Sequence, residues 1–295
     1  MKEIRVICQL FCISSTHGIT ATEMVREFFT HANKNPHGWG FADFSGAQTE
    51  LLRCPEPANR STLASQLLAQ PLTLANALVH IRMATVGQIE LDNCHPFVAA
   101  DASGRKWTLI HKGTVFDYSP LDPYFTLQQG STDSERILLY LIDQINRAGA
   151  NKATELTAAE RFAVFERLTR EISVGACLNL IVFDGEQFFL HANYKNAIRL
   201  LHCADCALFC TSALTSIPAQ VATSADERAP EHPQTGRRST QPHTSPVLPC
   251  WEDLPLCTAF AYRQGRLIRQ GQPHTHEYFD NEEDTRYLYQ DFAAL

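Results

Sequence analysis

Cys8 opens the run Ile7-Cys8-Gln9-Leu10-Phe11, which puts a thiol at the head of a strand-like apolar stretch. If Met1–Ile7 is absent or removed, that thiol and a new chain terminus share one residue. The α-amino group has an unperturbed pKa near 8 against roughly 8.5 for the thiol, so at neutral pH it takes the thiol proton without any catalytic histidine. The result is a nucleophile that carries its own base. Otherwise a cysteine in an apolar strand is a packing residue, since thiols are among the most buried side chains. A second group with chemistry-bearing spacing is His202, Cys203, Cys206 and Cys210. One Cys-x-x-Cys without a second pair falls short of a zinc site, and Cys250 and Cys257 are too isolated to complete it. Neither a metal nor another cofactor is expected. Cys203 and Cys206 are expected in the turn before a buried strand, Ala207–Thr211.

Downstream of Cys8 a series of blocks follows in order. They are Asn-Pro-His-Gly-Trp-Gly-Phe-Ala (Asn35–Ala42), His-Ile-Arg-Met-Ala-Thr-Val-Gly (His80–Gly87), Asn-Cys-His-Pro-Phe (Asn93–Phe97), Trp-Thr-Leu-Ile-His-Lys-Gly-Thr (Trp107–Thr114) and Thr-Asp-Ser-Glu (Thr132–Glu135). Together they resemble the class II glutamine amidotransferases, N-terminal-nucleophile enzymes that begin with a catalytic Cys. The likeness is to the stand-alone bacterial subgroup that carries no synthase domain. Leu178–Gly185, Trp251–Leu256 and Asn281–Asp284 also resemble that subgroup, so the likeness covers nearly the whole chain.

The resemblance implies a glutaminase-type reaction in which Cys8 forms a γ-glutamyl thioester and ammonia leaves. It makes Arg82 the cation for the substrate carboxylate, since a planar guanidinium grips a carboxylate through two parallel hydrogen bonds. Thr85 and the backbone around Val86 and Gly87 complete that pocket. Asp133 holds the α-ammonium, Gly113 presents its N–H to the tetrahedral oxyanion, and Trp39 between Gly38 and Gly40 shapes the pocket wall. The substrate is glutamine or a γ-glutamyl small molecule, and either a separate enzyme receives the released ammonia or the reaction is simple hydrolysis.

Three departures from the family pattern stand out. The family has His-Asn-Gly, with the Asn side chain as second oxyanion donor, where this chain has His111-Lys112-Gly113. Losing one such donor typically costs about 2.7–4 kcal/mol of transition-state stabilisation. Lys112 either places an ammonium near the oxyanion or marks a site without activity. The second departure is Met1–Ile7, a propeptide or an overextended start before a single domain spanning residues 8–295. The third is His37, where related proteins have an acid. Two readings therefore stand: an amide hydrolase, and a catalytically inactive amino-acid-binding or partner-subunit homologue. His80, His95 and His111 read as loop supports.

The elements that must position these residues begin with a strand at Ile4–Ser14, a helix at Thr22–Ala32 and a strand at Trp39–Asp43. Short apolar strands follow at Ala75–Arg82 and Lys106–His111. Thr132–Ala148 and Thr157–Glu171 read as helices, the second opened by Thr157 and Glu160 in the pattern of a capping box. Strands return at Cys177–Asp184, Gln187–Ala192, Ile198–Cys203, Ala207–Thr211, Thr258–Arg263 and Arg266–Gln270, with hairpin signals at Asp184-Gly185 and Gln264-Gly265. Strands, then helices, then strands again do not make a doubly wound parallel fold. An α+β arrangement of two antiparallel sheets packed face to face and covered by helices accounts for it, and the resemblance implies the same four-layer αββα sandwich. Pro218–Pro249 is poor in large apolar residues and reads as a flexible insertion.

At 295 residues and 44% apolar content, the chain can bury a large core. A net charge of −7 without any dense Lys/Arg cluster argues against nucleic acid or an anionic membrane as partner. The absence of a long apolar run and of a secretory signal points to the cytoplasm, where most of the ten cysteines are expected as free thiols.

Overall fold

The structure is a computed structural model that describes residues 8–222 and 250–279. The expected extension Met1–Ile7, most of the expected insertion and the block Asn281–Asp284 lie outside the described residues. In chain order the strands are β1 (Gln9–Thr20), β2 (Trp39–Asp43), β3 (Glu50–Cys54), β4 (Thr73–Ile81), β5 (Phe97–Ala100), β6 (Lys106–Thr114) and β7 (Cys177–Phe183). They continue as β8 (Phe188–Ala192), β9 (Arg199–His202), β10 (Cys206–Cys210), β11 (Glu252–Asp253), β12 (Thr258–Arg263) and β13 (Arg266–Gln270). One sheet has the order β11-β9-β10-β1-β4-β2-β3 and the other β13-β12-β8-β7-β6-β5. Neighbouring strands in both are antiparallel.

The period-two alternation of each strand sorts its side chains into layers. On β1, Phe11 and Ile13 join Trp39, Phe41, Val79 and Ile81 beneath α1 (Thr22–Phe29), which contributes Met24, Val25, Phe28 and Phe29. The intervening Leu10 and Cys12 face the other way, into a layer shared with Leu78 and Phe209 and, from the opposite sheet, Ile110, Ile181, Phe188 and Leu190. The outer face of the second sheet carries Trp107, Leu109, Leu178 and Phe189. After a short helix α2 (Thr62–Leu67), two long helices cover that face, α3 (Asp133–Gly149) and α4 (Ala158–Ile172), through Ile137, Leu141, Phe165 and Leu168. The order helix, sheet, sheet, helix is the expected sandwich.

Both long helices start where their capping chemistry dictates. The Thr132 hydroxyl accepts from Glu135 N at 3.2 Å, and the Glu135 carboxylate takes the Gln129 and Gly130 amides at 2.8 and 2.9 Å. Thr157 and Glu160 form the capping box read from the sequence. Cys203, in the β9–β10 turn, forms a disulfide with Cys206, which is not in the turn as expected but opens β10, and no group of three or more side chains that could hold a metal ion occurs among the described residues. Among those residues no helix is long and apolar enough to cross a membrane.

The Asp184-Gly185 turn is pinned to α4 by a buried ion pair. Arg161, 3% exposed at its side chain, places Nε 2.7 Å from Oδ2 of fully buried Asp184 and donates to Leu156 O at 2.7 Å and to Glu186 Oε2 at 2.5 Å. The other Asp184 oxygen accepts the Glu186 and Gln187 amides at 2.9 and 2.8 Å. Replacing Asp184 by alanine leaves the buried guanidinium with only the partly exposed Glu186 carboxylate as its anion and should destabilise the fold by about 3–5 kcal/mol. Denaturant unfolding of Asp184→Ala against the parent checks this.

Candidate active site

Cys8 sits just ahead of β1, at the end of the sheet where β4 finishes, since Gln9 pairs with Ile81. The thiol is 8% exposed and bonded to one residue twice, accepting from Met83 N at 3.2 Å and donating to Met83 O at 3.3 Å. Burial pushes it above its ordinary pKa, opposed by the Met83 amide and by the positive charges of Arg82 and Lys112. Burial favours the thiol, and the two cations favour the thiolate.

Arg82 follows β4 directly and is 2% exposed. Its Nη1 donates to Gln88 O at 2.8 Å, and Nη2 donates to Val86 O at 3.0 Å and Gly87 O at 3.2 Å. Val86 and Gly87 therefore meet the guanidinium through their carbonyls and shape the turn around it. A guanidinium has five donors, and these three bonds leave Nε–H and the second Nη1–H, which point in different directions. Thr85 ties the same loop to the end of β6, its hydroxyl 3.1 Å from that of Thr114. His37 supports the loop from the other side, with Nδ1 accepting from Ala84 N at 3.0 Å.

From the opposite sheet comes β6. A Cβ on Gly113 would lie 1.8 Å from the Cys177 carbonyl oxygen, and its φ is +153°, so only glycine fits. The crowding at this position comes from the β7 backbone. Lys112 is 9% exposed, and burial pushes its pKa down, with Cys177, Cys8 and Cys210 as its opposing neighbours. Asp133 opens α3 at 3% exposure. Its Oδ2 accepts from Val115 N at 2.8 Å and its Oδ1 from Ser134 N at 3.0 Å, which leaves lone pairs on both oxygens for an ammonium.

Cys8, Arg82, Thr85, Lys112, Gly113 and Asp133 thus converge at one end of the layer between the sheets. Trp39 does not join them and is corrected here: it is fully buried on the helix-facing side of β2, with its ring 5.0 Å from that of Phe29. Alternation along β2 assigns the inner face to Gly40, where a Cβ would lie 1.8 Å from His95 O.

Sequence reasoning overlooked Asn179, a fully buried amide in the all-apolar run of β7. It donates to Lys112 O at 2.7 Å and accepts from Asn193 N and Tyr194 N, both at 3.2 Å. Asn193 in turn donates to Ala176 O at 2.8 Å and His276 O at 3.1 Å. A polar residue in the middle of an apolar strand was the signal.

The sequence pattern of the glutamine amidotransferases class-II matches residues 7–285. The chain belongs to this family. A Haemophilus influenzae protein named "Putative glutamine amidotransferase" is 26% identical over 193 residues, 64% of each chain. The Escherichia coli protein YafJ, named in the same words, is 28% identical over 152 residues, 51% of this chain and 58% of its own length. The chain therefore spans less than two thirds of these curated relatives. Glutamine phosphoribosylpyrophosphate amidotransferase from Bacillus subtilis shares the fold, with a TM-score of 0.56 at 10% identity over 90% of this chain and 49% of the other. This likeness to an Ntn amidotransferase agrees with the αββα layering.

Behind the site three histidines are buried neutral. Burial holds His80 down at about 3 and His95 well below its ordinary value, and it also lowers His111. The His80 and His95 rings lie 4.0 Å apart, and His111 Nδ1 lies 2.9 Å from Ser134 Oγ. Their unfolded-state pKa is near 6.5, so above it they contribute no pH dependence. As pH falls below 6.5 the unfolded chain binds protons that the fold refuses, and each such group removes about 1.4 kcal/mol of stability per unit until its folded pKa is reached. The melting temperature should therefore fall steadily as pH falls from about 6.5, and His80→Gln should flatten the slope measured by thermal unfolding.

Proposed function

We propose that this protein hydrolyses the side-chain amide of glutamine, or a γ-glutamyl amide like it, through a thioester on Cys8. The observation that carries the reading is the convergence of Cys8, Arg82, Asp133 and Gly113 at one end of the inter-sheet layer, in a chain of the class II amidotransferase family. Arg82 holds the α-carboxylate with the donors that the Val86–Gln88 turn does not use, and Asp133 holds the α-ammonium. The Cys8 thiolate attacks the amide carbon, the Gly113 N–H stabilises the oxyanion, and the C–N bond breaks as the leaving nitrogen takes a proton. Water then cleaves the thioester to glutamate. In a chain that begins at Cys8 after loss of Met1–Ile7, the α-amine serves as proton acceptor. The ammonia either passes to a separate enzyme or is released by simple hydrolysis.

The reading of a binding protein without catalysis rests on Lys112 in place of the family's Asn and on Met1–Ile7 ahead of Cys8. Intact-mass analysis together with a glutaminase assay separates the two. Cys8→Ala should abolish both turnover and labelling by an electrophilic glutamine analogue, whereas Cys12→Ala and Cys94→Ala should retain them; label persisting in the Cys8 variant would remove the assignment. Arg82→Ala and Asp133→Ala should each weaken glutamine binding by roughly 2–5 kcal/mol, because a charge-assisted contact is lost from a desolvated pocket. Titration calorimetry on the Cys8→Ala background, where no hydrolysis intervenes, reads that loss directly.

A further inference from the structure

Asn179 lies two residues from Ile181 on the inner face of β7, and its register partner across the sheet is Lys112. Both ends of its carboxamide are used. Nδ2 donates to Lys112 O at 2.7 Å and lies 3.5 Å from Cys177 Sγ, while Oδ1 accepts from Asn193 N and Tyr194 N, both at 3.2 Å. Two amides on one side and a carbonyl on the other admit a single orientation of the group. A fully buried carboxamide is costly unless all its partners are present, and an aliphatic side chain of similar size would fill the same space without that demand.

What the Asn179 bond holds is one peptide unit. The carbonyl of Lys112 and the N–H of Gly113 belong to the same plane and point in opposite directions. The strand register says where. Leu178 N donates to Asn193 Oδ1 at 2.7 Å, just past the end of β8, so the backbone of Leu178 faces β8 and that of Asn179 faces β6. In the paired strand the Lys112 carbonyl therefore faces β7, and the Gly113 N–H faces away from it. At Gly113 ordinary strand geometry stops: φ is +153°, and the residue is pressed against the Cys177 carbonyl. The tilt of the peptide plane at this point is set by the Asn179 side chain as well as by the ladder. A hydrogen bond to the carbonyl also polarises the N–H at the other end of the plane.

We infer that Asn179 is a positioning residue for the oxyanion donor, aiming and polarising the Gly113 N–H without touching the substrate. The inference rests on the amide-hydrolase reading, in which that N–H meets the tetrahedral oxyanion. Lys112 stands at the position of the family's Asn, so the backbone donor carries more of the oxyanion's charge and its aim more of the rate. Asn193 supplies the control. Its side chain braces the same region through Leu178 N, Ala176 O and His276 O, but it meets Asn179 only with its backbone N–H.

The test uses the full chain with its N-terminus defined by intact mass, and expresses kcat per Cys8 titrated with an electrophilic glutamine analogue. Asn179→Leu should lower kcat for glutamine by about ten- to a hundredfold and leave KM within about threefold, because only the transition state carries the oxyanion. Iodoacetamide alkylation of Cys8, a displacement that forms no oxyanion, should keep its parental rate. In Asn179→Asp the new carboxyl still accepts the two amides but donates to Lys112 O only while protonated, so kcat relative to the parent should recover as pH falls. This near-isostere also carries the test if the Leu variant does not fold. Asn193→Ala should lower the melting temperature yet keep kcat per titrated thiol within about threefold of the parent. Parental kcat in the Asn179 variants, or an equal loss in Asn193→Ala, overturns the inference. Alkylation that slows in step with kcat also overturns it, since the thiol and not the oxyanion donor would then be disturbed. A parent chain that turns over no glutamine removes the amide-hydrolase reading and the role of Asn179 with it, whereas a parent that turns it over while the Asn179 variants match it removes only the latter.

Discussion

The end of β6 touches β7 at Gly113 with no room for a methyl group, and the other parts of the site take their places from that contact. With the strand seated there, period-two alternation sends Lys112 between the sheets and His111 outward to Ser134 at the start of α3. The next residue, Thr114, reaches Thr85 on the Arg82 loop, and Val115 N reaches Asp133. Five consecutive residues, His111 to Val115, thereby join both sheets, the β4 loop and a helix terminus. A shift of one residue in the β6–β7 register would exchange the lysine and the histidine and dismantle every one of these contacts.

Desolvation supplies the chemistry that this geometry arranges. Cys8, Arg82, Lys112 and Asp133 are each at most 9% exposed, so their mutual fields are little screened by water. The cations oppose burial of the thiolate, and backbone carbonyls rather than a carboxylate complete the guanidinium. That choice keeps Arg82 charged without neutralising it. A carboxylate partner would have satisfied the same donors and closed the site to an anionic ligand.

Much of this was legible in the chain itself. Trp39–Asp43 formed as read, and Thr157 with Glu160 capped α4 because capping is a local matter of side chain and nearest amides. Cys8, Arg82, Gly113 and Asp133 stand out as candidates because their neighbours in sequence form dense blocks. The edge strand β3, the short helix α2 and β5 were not read, since Glu50–Cys54 is half exposed and the others are too brief for a period to register. Trp39 was misplaced for a related reason: flanking glycines say that the backbone is crowded, but not which face of the strand is crowded. The Asn179 network joins residues far apart in the chain, and its only mark was an amide where an aliphatic side chain belonged.

That network gives the segment after β13 a role in the cooperativity of the fold. Asn193 holds Leu178 N at 2.7 Å and reaches His276 O, while Tyr278 N bonds to Asn193 O at 2.8 Å and the Tyr278 ring stacks 6.3 Å from that of Phe116. The amides of Leu178, Asn193 and Tyr194 are thus guarded by two side-chain carboxamides rather than by ladder partners alone. In hydrogen-exchange terms they belong to one opening unit with residues 274–278, and protection of the strand behind Lys112 rises and falls with the seating of that segment.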